Sequence, residues 1–509
     1  MVLALWSAVI YYRFVYAADP EYRVPRLWNV VAVTTKPTHP TNTAVSRGDE
    51  SGDKSPHSKI VVLMALSGAL SLGCRPQPGE SNDVRPLTVV VSGDTAGWIV
   101  PCGCTSNQSG GLPRRATYLA ELAAGSVVLV VDAGGAAGGK SNYDRLKFEA
   151  ILQGEQAMGV AAHNIGASEA ALGPDYLRDV ARRLHVPFVS TNVLLSDGQP
   201  LTDRLQLLQA ADRSVVILGV LSPKYAVPGL RVDPPREAIL RALQQMDCHD
   251  PEYRVPRAVV VLAYVPEEEL QALAEGLPEV DVVVGGPTGQ PVAPRHLGPT
   301  LVLSATREGK FLARLDAPSD SKQPWTGGIV ELKERFADDP VQVANVARFR
   351  KELGRRDISA AETSFGPRLP PGAPKEFAVA GTATCRDCHK PETQVWDKSR
   401  HAQAWKSLEE HAAQVDPDCQ RCHTTGYGLP GGFASLGRSP GLREVGCENC
   451  HGPSREHVRE PKIHTGYFAQ AANQCIACHD RENSPRFDFD AYWAKIRHGK
   501  SHKNEEKGK

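Results

Sequence analysis

Residues 87–335 alternate short apolar runs with segments of helical period. LTVVVSGD, SVVLVVDAGG, PFVSTNVLL, SVVILGVLSP, AVVVLAY, VDVVVGG, TLVLSA and KFLARLD are rich in β-branched residues and read as buried strands. Between several of them PRRATYLAELAA, PDYLRDVARRL and PREAILRALQQM space their apolar residues three and four apart, as helices with one packed face do. The alternation predicts an α/β sandwich with helices on the sheet faces. Next, DDPVQVANVARFRKELG (338–354) predicts an amphipathic helix, with Asp339 or Asp338 as N-cap ahead of Pro340. SFGPRLPPGAPKEFAVAGT then breaks every period with Pro and Gly, so 336–380 is expected to be a helix and linker between domains.

From 381 to 499 cysteine replaces apolar periodicity as the organising signal. Cys-x-x-Cys-His occurs four times, at Cys385/Cys388/His389, Cys419/Cys422/His423, Cys447/Cys450/His451 and Cys475/Cys478/His479. This spacing reads as c-type haem attachment. Two thiols one short turn apart add to the two vinyl groups of a porphyrin, and the adjacent histidine becomes the proximal iron ligand. Zinc is the alternative, but motifs would have to share a metal in pairs and the histidines would have no use. Four covalent c-type haems are therefore expected, in a small, mainly helical and loop-rich domain. So short a segment buries little apolar side chain, so the porphyrins should be its core, and without them it should not fold.

The sixth ligand is constrained by composition. The four methionines are Met1, Met64, Met158 and Met246, so local His/Met ligation is excluded. His401, His411, His457, His464, His498 and His502 remain, with His411 and His502 reading equally well as surface residues. Several haems are expected to be bis-histidine and low in potential.

The formal net charge is zero, which gives no reason to expect a nucleic-acid partner. Eight of the twelve cysteines belong to the motifs, leaving Cys74, Cys102, Cys104 and Cys248. Haem attachment to thiols belongs on the disulfide-forming side of a membrane, so a signal for export is expected. Residues 1–17 are apolar but interrupted by Arg13 and short for a span. Residues 18–58 are polar and aperiodic. KIVVLMALSGALSLGC (59–74), with Lys54 ahead of it, has the basic and apolar regions of a secretory signal. Its last residue makes it resemble a bacterial lipoprotein signal, which implies lipidation at Cys74. Ser71 stands where that pattern usually has Leu, and an uncleaved anchor is the alternative. Residues 1–58 are then an extension ahead of the signal, with the start assigned too far upstream, and 75–86 a linker. The octapeptide DPEYRVPR recurs at 19–26 and 250–257; one repeat does not make a solenoid, and duplicated DNA is the preferred reading. The tail, 500–509, is a solvated charge run.

Residues 87–335 resemble the metallophosphoesterase domain of periplasmic 5′-nucleotidases, through GDTAG, VVDAGG, IGASEAALGPDYL, VLAYVP and VDVVVGGPTG. That family holds two metals, which polarise phosphate and activate water. Here Asp94 is kept, but Ala96 replaces a histidine, Gly135 the bridging aspartate, and Ala167 and Ser168 an asparagine and a histidine. Tyr264, Pro287 and Gly289 stand where later histidines belong. A phosphatase fold without its chemistry is expected. Cys102-x-Cys104 falls where the fold keeps its site. It reads as a redox-labile disulfide, a soft-metal site or a static disulfide, with Arg114 and Arg115 placed to lower a thiol pKa. The sequence also resembles a group of exported nucleotidase-like proteins with this cysteine loop, for which no reaction is assigned. Cys248 is unexplained.

CRDCH with QVWDKSRHAQAW, CQRCHTTGYG, GCENCHGPSREHV, and CIACHD with FDFDAYWAKIRHG resemble the tetrahaem cytochrome c family that accepts electrons from hydroxylamine oxidoreductase. The resemblance covers 381–499. It implies three bis-histidine haems with distal ligands at His401, His457 and His498, and His464 as a spare. It also implies one open or weakly ligated iron, by family order that of Cys419/Cys422/His423, near Thr424, Thr425 and Tyr427. The function expected is an exported, lipid-anchored electron carrier of the periplasm or cell envelope. It would serve redox partner proteins, with the nucleotidase-like part as a docking or accessory module. The rivals are an oxidoreductase acting on a small nitrogen compound or peroxide at the open haem, hydrolysis by the α/β part, and electron exchange between Cys102/Cys104 and the haems.

Overall fold

A computed structural model describes residues 85–101, 108–210, 213–249, 257–320, 323–366, 377–465, 467–480 and 483–498. The expected export signal with Cys74, the first octapeptide, all but Arg257 of the second, Cys102, Cys104 and His502 lie outside them, as does the side chain of Cys248.

Fourteen strands occur among the described residues: β1 (Leu87–Ser92), β2 (Val127–Asp132), β3 (Val160–Asn164), β4 (Phe188–Val189), β5 (Val193–Leu195), β6 (Leu205–Ala210), β7 (Arg213–Leu221), β8 (Leu230–Val232), β9 (Arg257–Tyr264), β10 (Val282–Gly286), β11 (Val292–Leu297), β12 (Thr300–Ser304), β13 (Phe311–Asp316) and β14 (Thr326–Glu331). They form two six-stranded sheets, in the orders β14-β13-β1-β2-β3-β4 and β11-β12-β10-β9-β7-β6, and a small β5-β8 pair. β1 to β4 run parallel in the first sheet, and β7, β9, β10 and β12 in the second. Alternate side chains serve opposite faces. Val89, Val91 and Val131 meet Ile217, Val260, Leu262 and Val284 between the sheets. Val216, Leu218 and Val261 face the outer helices with Ile239 and Leu270. Apolar residues on both faces explain the unbroken runs in the sequence. The α/β sandwich expected from the pattern is the fold observed.

Two details differ from expectation. PFVSTNVLL is two short strands, because Ser190 and Thr191 leave the ladder to bond Asp203 O and Gly219 O. The helix after the sandwich runs Pro340–Arg356 with Asp339 as its N-cap, accepting from Gln342 N. It is packed into the α/β layers: buried Gln342 and Asn345 donate to Gly154 O and Ala150 O of the Asn142–Ala157 helix, at 2.9 and 2.8 Å.

The motif-bearing region consists of short helices, including Lys390–Asp397, Ala404–Glu410, Pro417–His423, Cys447–His451, Arg455–Arg459 and Phe489–Ile496. Its apolar cluster is small: Ala360, Trp405, Leu408, Ala413, Tyr427 and Phe433. No helix among the described residues is long and apolar enough to cross a membrane.

Candidate haem sites and the altered phosphoesterase site

The second and third motifs lie within single helices, Pro417–His423 and Cys447–His451. There a three-residue interval puts both thiols on one face. The first begins at the last residue of the one-turn helix Thr382–Cys385, and the fourth begins in the 3-10 segment Phe468–Ala477. All eight thiols are free of disulfides. Cys385 and Cys447 are hydrogen-bonded neighbours, as are Cys422 and Cys478. The Cys385 bond, the largest influence on Cys447, takes its thiol down to about 7. Cys475 in turn acts on Cys450, whose thiol is pushed up to about 11, chiefly by burial. The motifs thus adjoin in the spatial order first, third, fourth, second.

Cys388 departs from the other seven motif cysteines. They are half-buried, as thiols packed against a common core should be, whereas Cys388 is exposed. The cause is local. The helix ends at Cys385, so Arg386–Cys388 form a surface turn, and His389 beside it is exposed too. Cys388 thus lacks the helical placement that pairs the thiols of the second and third motifs, and its assignment to haem rests on the Cys-x-x-Cys-His spacing.

The histidines converge in pairs. Ring centres lie 6.0 Å apart for His389 and His457, 6.3 Å for His401 and His479, and 5.8 Å for His451 and His498. Two imidazoles bonded to opposite sides of one metal at roughly 2 Å have centres roughly 6 Å apart. The three pairs fit an iron between them. His423 has no such counterpart among the described residues. His411 and His464 are exposed and lie outside the pairs; His411 Nδ1 is bonded to Ser407 O.

Second bonds aim the rings. The Nδ1–H of His457, His498 and His423 donates to the carbonyls of Ile463, Ile496 and Ala404 at 2.7, 2.9 and 2.7 Å. Each bond fixes the tautomer and leaves Nε2 as the ligating atom. Burial lowers the pKa of His401, His423, His451 and His479, keeping a lone pair for a metal. The donor set therefore fits c-type haem.

The position expected from the resemblance to hold a phosphoesterase site is closed. The Asp94 carboxylate accepts from Thr306 Oγ1 and Arg307 N at 2.6 and 3.2 Å. Gly135 has φ +83°, and a Cβ there would lie 2.7 Å from Tyr264 Cε2 and 3.1 Å from Asp94 Cα. Tyr264 is buried and edge-packed on Tyr225. Its ring fills the space beside the missing carboxylate, and the crevice between Gly93, Asp94, Ala133, Gly286 and Thr306 leaves no room for water. Glu169 ties the loops together, accepting from Gly135 N, Ala136 N and Gly166 N at 2.9, 2.6 and 3.0 Å.

Beneath this crevice lies a group that no motif or spacing singles out. Ligand atoms of buried Asp132, Glu155 and His163 lie within 4.8 Å of one another. Arg115 is turned into this group. Its Nη1 is 3.9 Å from both Asp132 and Glu155, and its Nη2 donates to Thr95 Oγ1 at 2.8 Å. A guanidinium already supplies the cation, so we read an ion network, not a metal site. His163 Nδ1 is 2.7 Å from Glu155 Oε2. Burial works to lower the His163 pKa, but Glu155 and Asp132 raise it well above the usual 6.5. A raised folded-state pKa stabilises fully below the unfolded value, and that stability is lost as pH rises through the folded value. The stability advantage of the native chain over His163→Gln should therefore be constant below pH 6.5 and shrink above it. Thermal unfolding across pH tests this, and an advantage that grows with pH would refute it.

Fold and motifs together define a two-sheet α/β sandwich joined to a segment with four Cys-x-x-Cys-His motifs. Residues 384–452 match the family described as cytochrome c554 and c-prime. Cytochrome c-554 of Nitrosomonas europaea is 38% identical over 90 residues, which are 15% of this chain and 38% of that protein. The match thus spans well under half of the curated relative. The resemblance read from the motifs holds over this segment, and covalent haem c is what the family implies.

Solved structures overlap the other half. A 5′-nucleotidase precursor from Thermus thermophilus has TM-score 0.45 and 20% identity, covering 53% of this chain and 59% of its own. A calcineurin-like phosphoesterase from Bacillus subtilis has TM-score 0.44 and 15% identity, covering 52% and 97%. The sheet orders above carry the fold assignment.

Proposed function

We propose that the chain is an exported multihaem cytochrome that passes electrons through four covalently bound haems. Three are held between two histidines: His389 with His457, His479 with His401, and His451 with His498. The fourth, on Cys419, Cys422 and His423, keeps an open position. The observation that carries this reading is the set of three histidine pairs spaced for one metal each, with His423 left over. Bound haem iron supplies one-electron chemistry at a potential set by its ligands and surroundings. This chain's residues supply the thiols, aim the imidazoles through their Nδ1 bonds, and set the motifs side by side. The α/β part is a non-hydrolytic accessory module, since its one retained carboxylate is engaged and its crevice filled. Redox proteins are the partners, in the periplasm or cell envelope, with lipid at Cys74 as the tether. The unmatched His423 favours a second reading, an oxidoreductase acting on a small nitrogen compound there.

Electron paramagnetic resonance on haem-loaded protein tests the ligand scheme. Three low-spin irons and one high-spin iron are expected. Four low-spin irons would remove the open position, and colourless protein from a host competent in cytochrome maturation would remove the haem reading altogether. Turnover with nitrite, nitric oxide or hydroxylamine separates catalyst from carrier.

A further inference from the structure

The α/β layers grip the second motif. Tyr143, fully buried on the Asn142–Ala157 helix, donates from Oη to Asp416 Oδ1 at 2.7 Å. Asp416 is the N-cap of the helix carrying Cys419, Cys422 and His423, its side chain accepting from Asp418 N. One turn further along the same α/β helix, buried Lys147 places Nζ 3.0 Å from Asp418 Oδ2. The other oxygen of Asp418 takes Arg421 Nε at 3.0 Å. Arg421 lies over the Phe365 ring, which packs edge-on against Tyr143. Among the described residues, no hydrogen bond or ion pair from the α/β layers reaches Cys385–His389 or Cys447–His451. The sandwich therefore engages the one motif whose histidine lacks a counterpart.

We propose that Tyr143 and Lys147 are positioning residues for the iron of the second motif, acting across the domain boundary. This rests on the haem reading above. Tyr143 holds the cap that fixes the helix and with it the direction of His423. Lys147 neutralises the carboxylate next to Cys419 from a site screened from water, where charges act strongly. Reduction of Fe(III) to Fe(II) by one electron removes one positive charge from the site. A cation held nearby favours the reduced form, so Lys147 raises this iron's potential.

The test is a dithionite titration of the haem-loaded full chain, followed by electron paramagnetic resonance. Lys147→Met should lower the midpoint of the high-spin component and shift the low-spin components less. Lys147→Arg should restore it. The pair Lys147→Met with Asp418→Asn should return it towards the native value, because the net charge beside the helix is then unchanged. Tyr143→Phe should broaden the high-spin signal. Should Lys147→Met fail to accumulate, Asp418→Asn alone reads the same charge with the opposite sign and should raise the midpoint. An unmoved midpoint, or an equal shift of every component, overturns the proposal. If the native chain shows no high-spin iron, the open-site reading has failed instead. The inference is then judged by whether a single low-spin component shifts alone.

Discussion

Replacing His457 by alanine is expected to turn one low-spin iron high-spin, changing the ratio from three-to-one to two-to-two. His457 faces His389 at 6.0 Å and has its Nδ1 tied to Ile463 O, so its Nε2 is the atom presented to the metal. Its helix is pinned by Arg455, which donates from its backbone to Ala378 O and from Nη2 to Val379 O, both at 3.0 Å. Exposed His464 is the natural control. His464→Ala should leave the spectrum unchanged, because His457 already faces His389. Loss of a histidine ligand also changes the potential of that iron alone, so one step of the redox titration should move. An unaltered spin count in His457→Ala would break the proposed pairing. A change in His464→Ala would show that the spare histidine, not His457, is the ligand.

Haem attachment is legible in the sequence because it is local: the three donors of each site lie within a single Cys-x-x-Cys-His run. How each run is packed is less legible, since the same spacing leaves Cys388 exposed on a turn and its counterpart Cys422 half-buried in a helix. The distal ligands are not local. His401 follows the first motif in the chain but meets His479 of the fourth, and no spacing rule anticipates that. A similar division runs through the sandwich. Strands such as β7, β9 and β10 are apolar on both faces and stand out from the pattern. β6, β11 and β14 lie at sheet edges, and β11 and β14 have no fully buried residue on either side, so their signal is diluted. β3 is a different case. It ends in buried His163 and Asn164, and Asn164 Nδ2 donates to Ala133 O, Val220 O and Leu262 O, joining the two sheets. Polar residues there have partners in tertiary structure that the sequence cannot display. The Asn142–Ala157 helix is hidden for the same reason. Its inward face includes Lys147 and Glu155, whose partners come from Asp418 and His163.

Supplying the carboxylate that the phosphoesterase resemblance expects at position 135 should not create hydrolysis. Gly135→Asp is expected to destabilise the folded chain by roughly 3–6 kcal/mol, through left-handed backbone strain, overpacking and a buried unpaired carboxylate. Each cost has a cause in the structure: φ is +83°, and the new Cβ would press on Tyr264 and on Asp94 Cα. Urea unfolding of haem-loaded protein, followed by circular dichroism, measures the total. Gly135→Ala keeps the strain and contact but omits the charge, so it should lose less. Adding Tyr264→Ala to Gly135→Asp removes the opposing ring and should recover part of the stability. None of these three variants should hydrolyse a phosphomonoester with manganese or magnesium present. Ala96, Ala167, Pro287 and Gly289 still offer no ligand side chain, and Asp94 remains bonded to Thr306. Metal-dependent turnover in Gly135→Asp would mean that one substitution separates this sandwich from a working phosphoesterase, and its reading as an accessory to the haems would have to be abandoned.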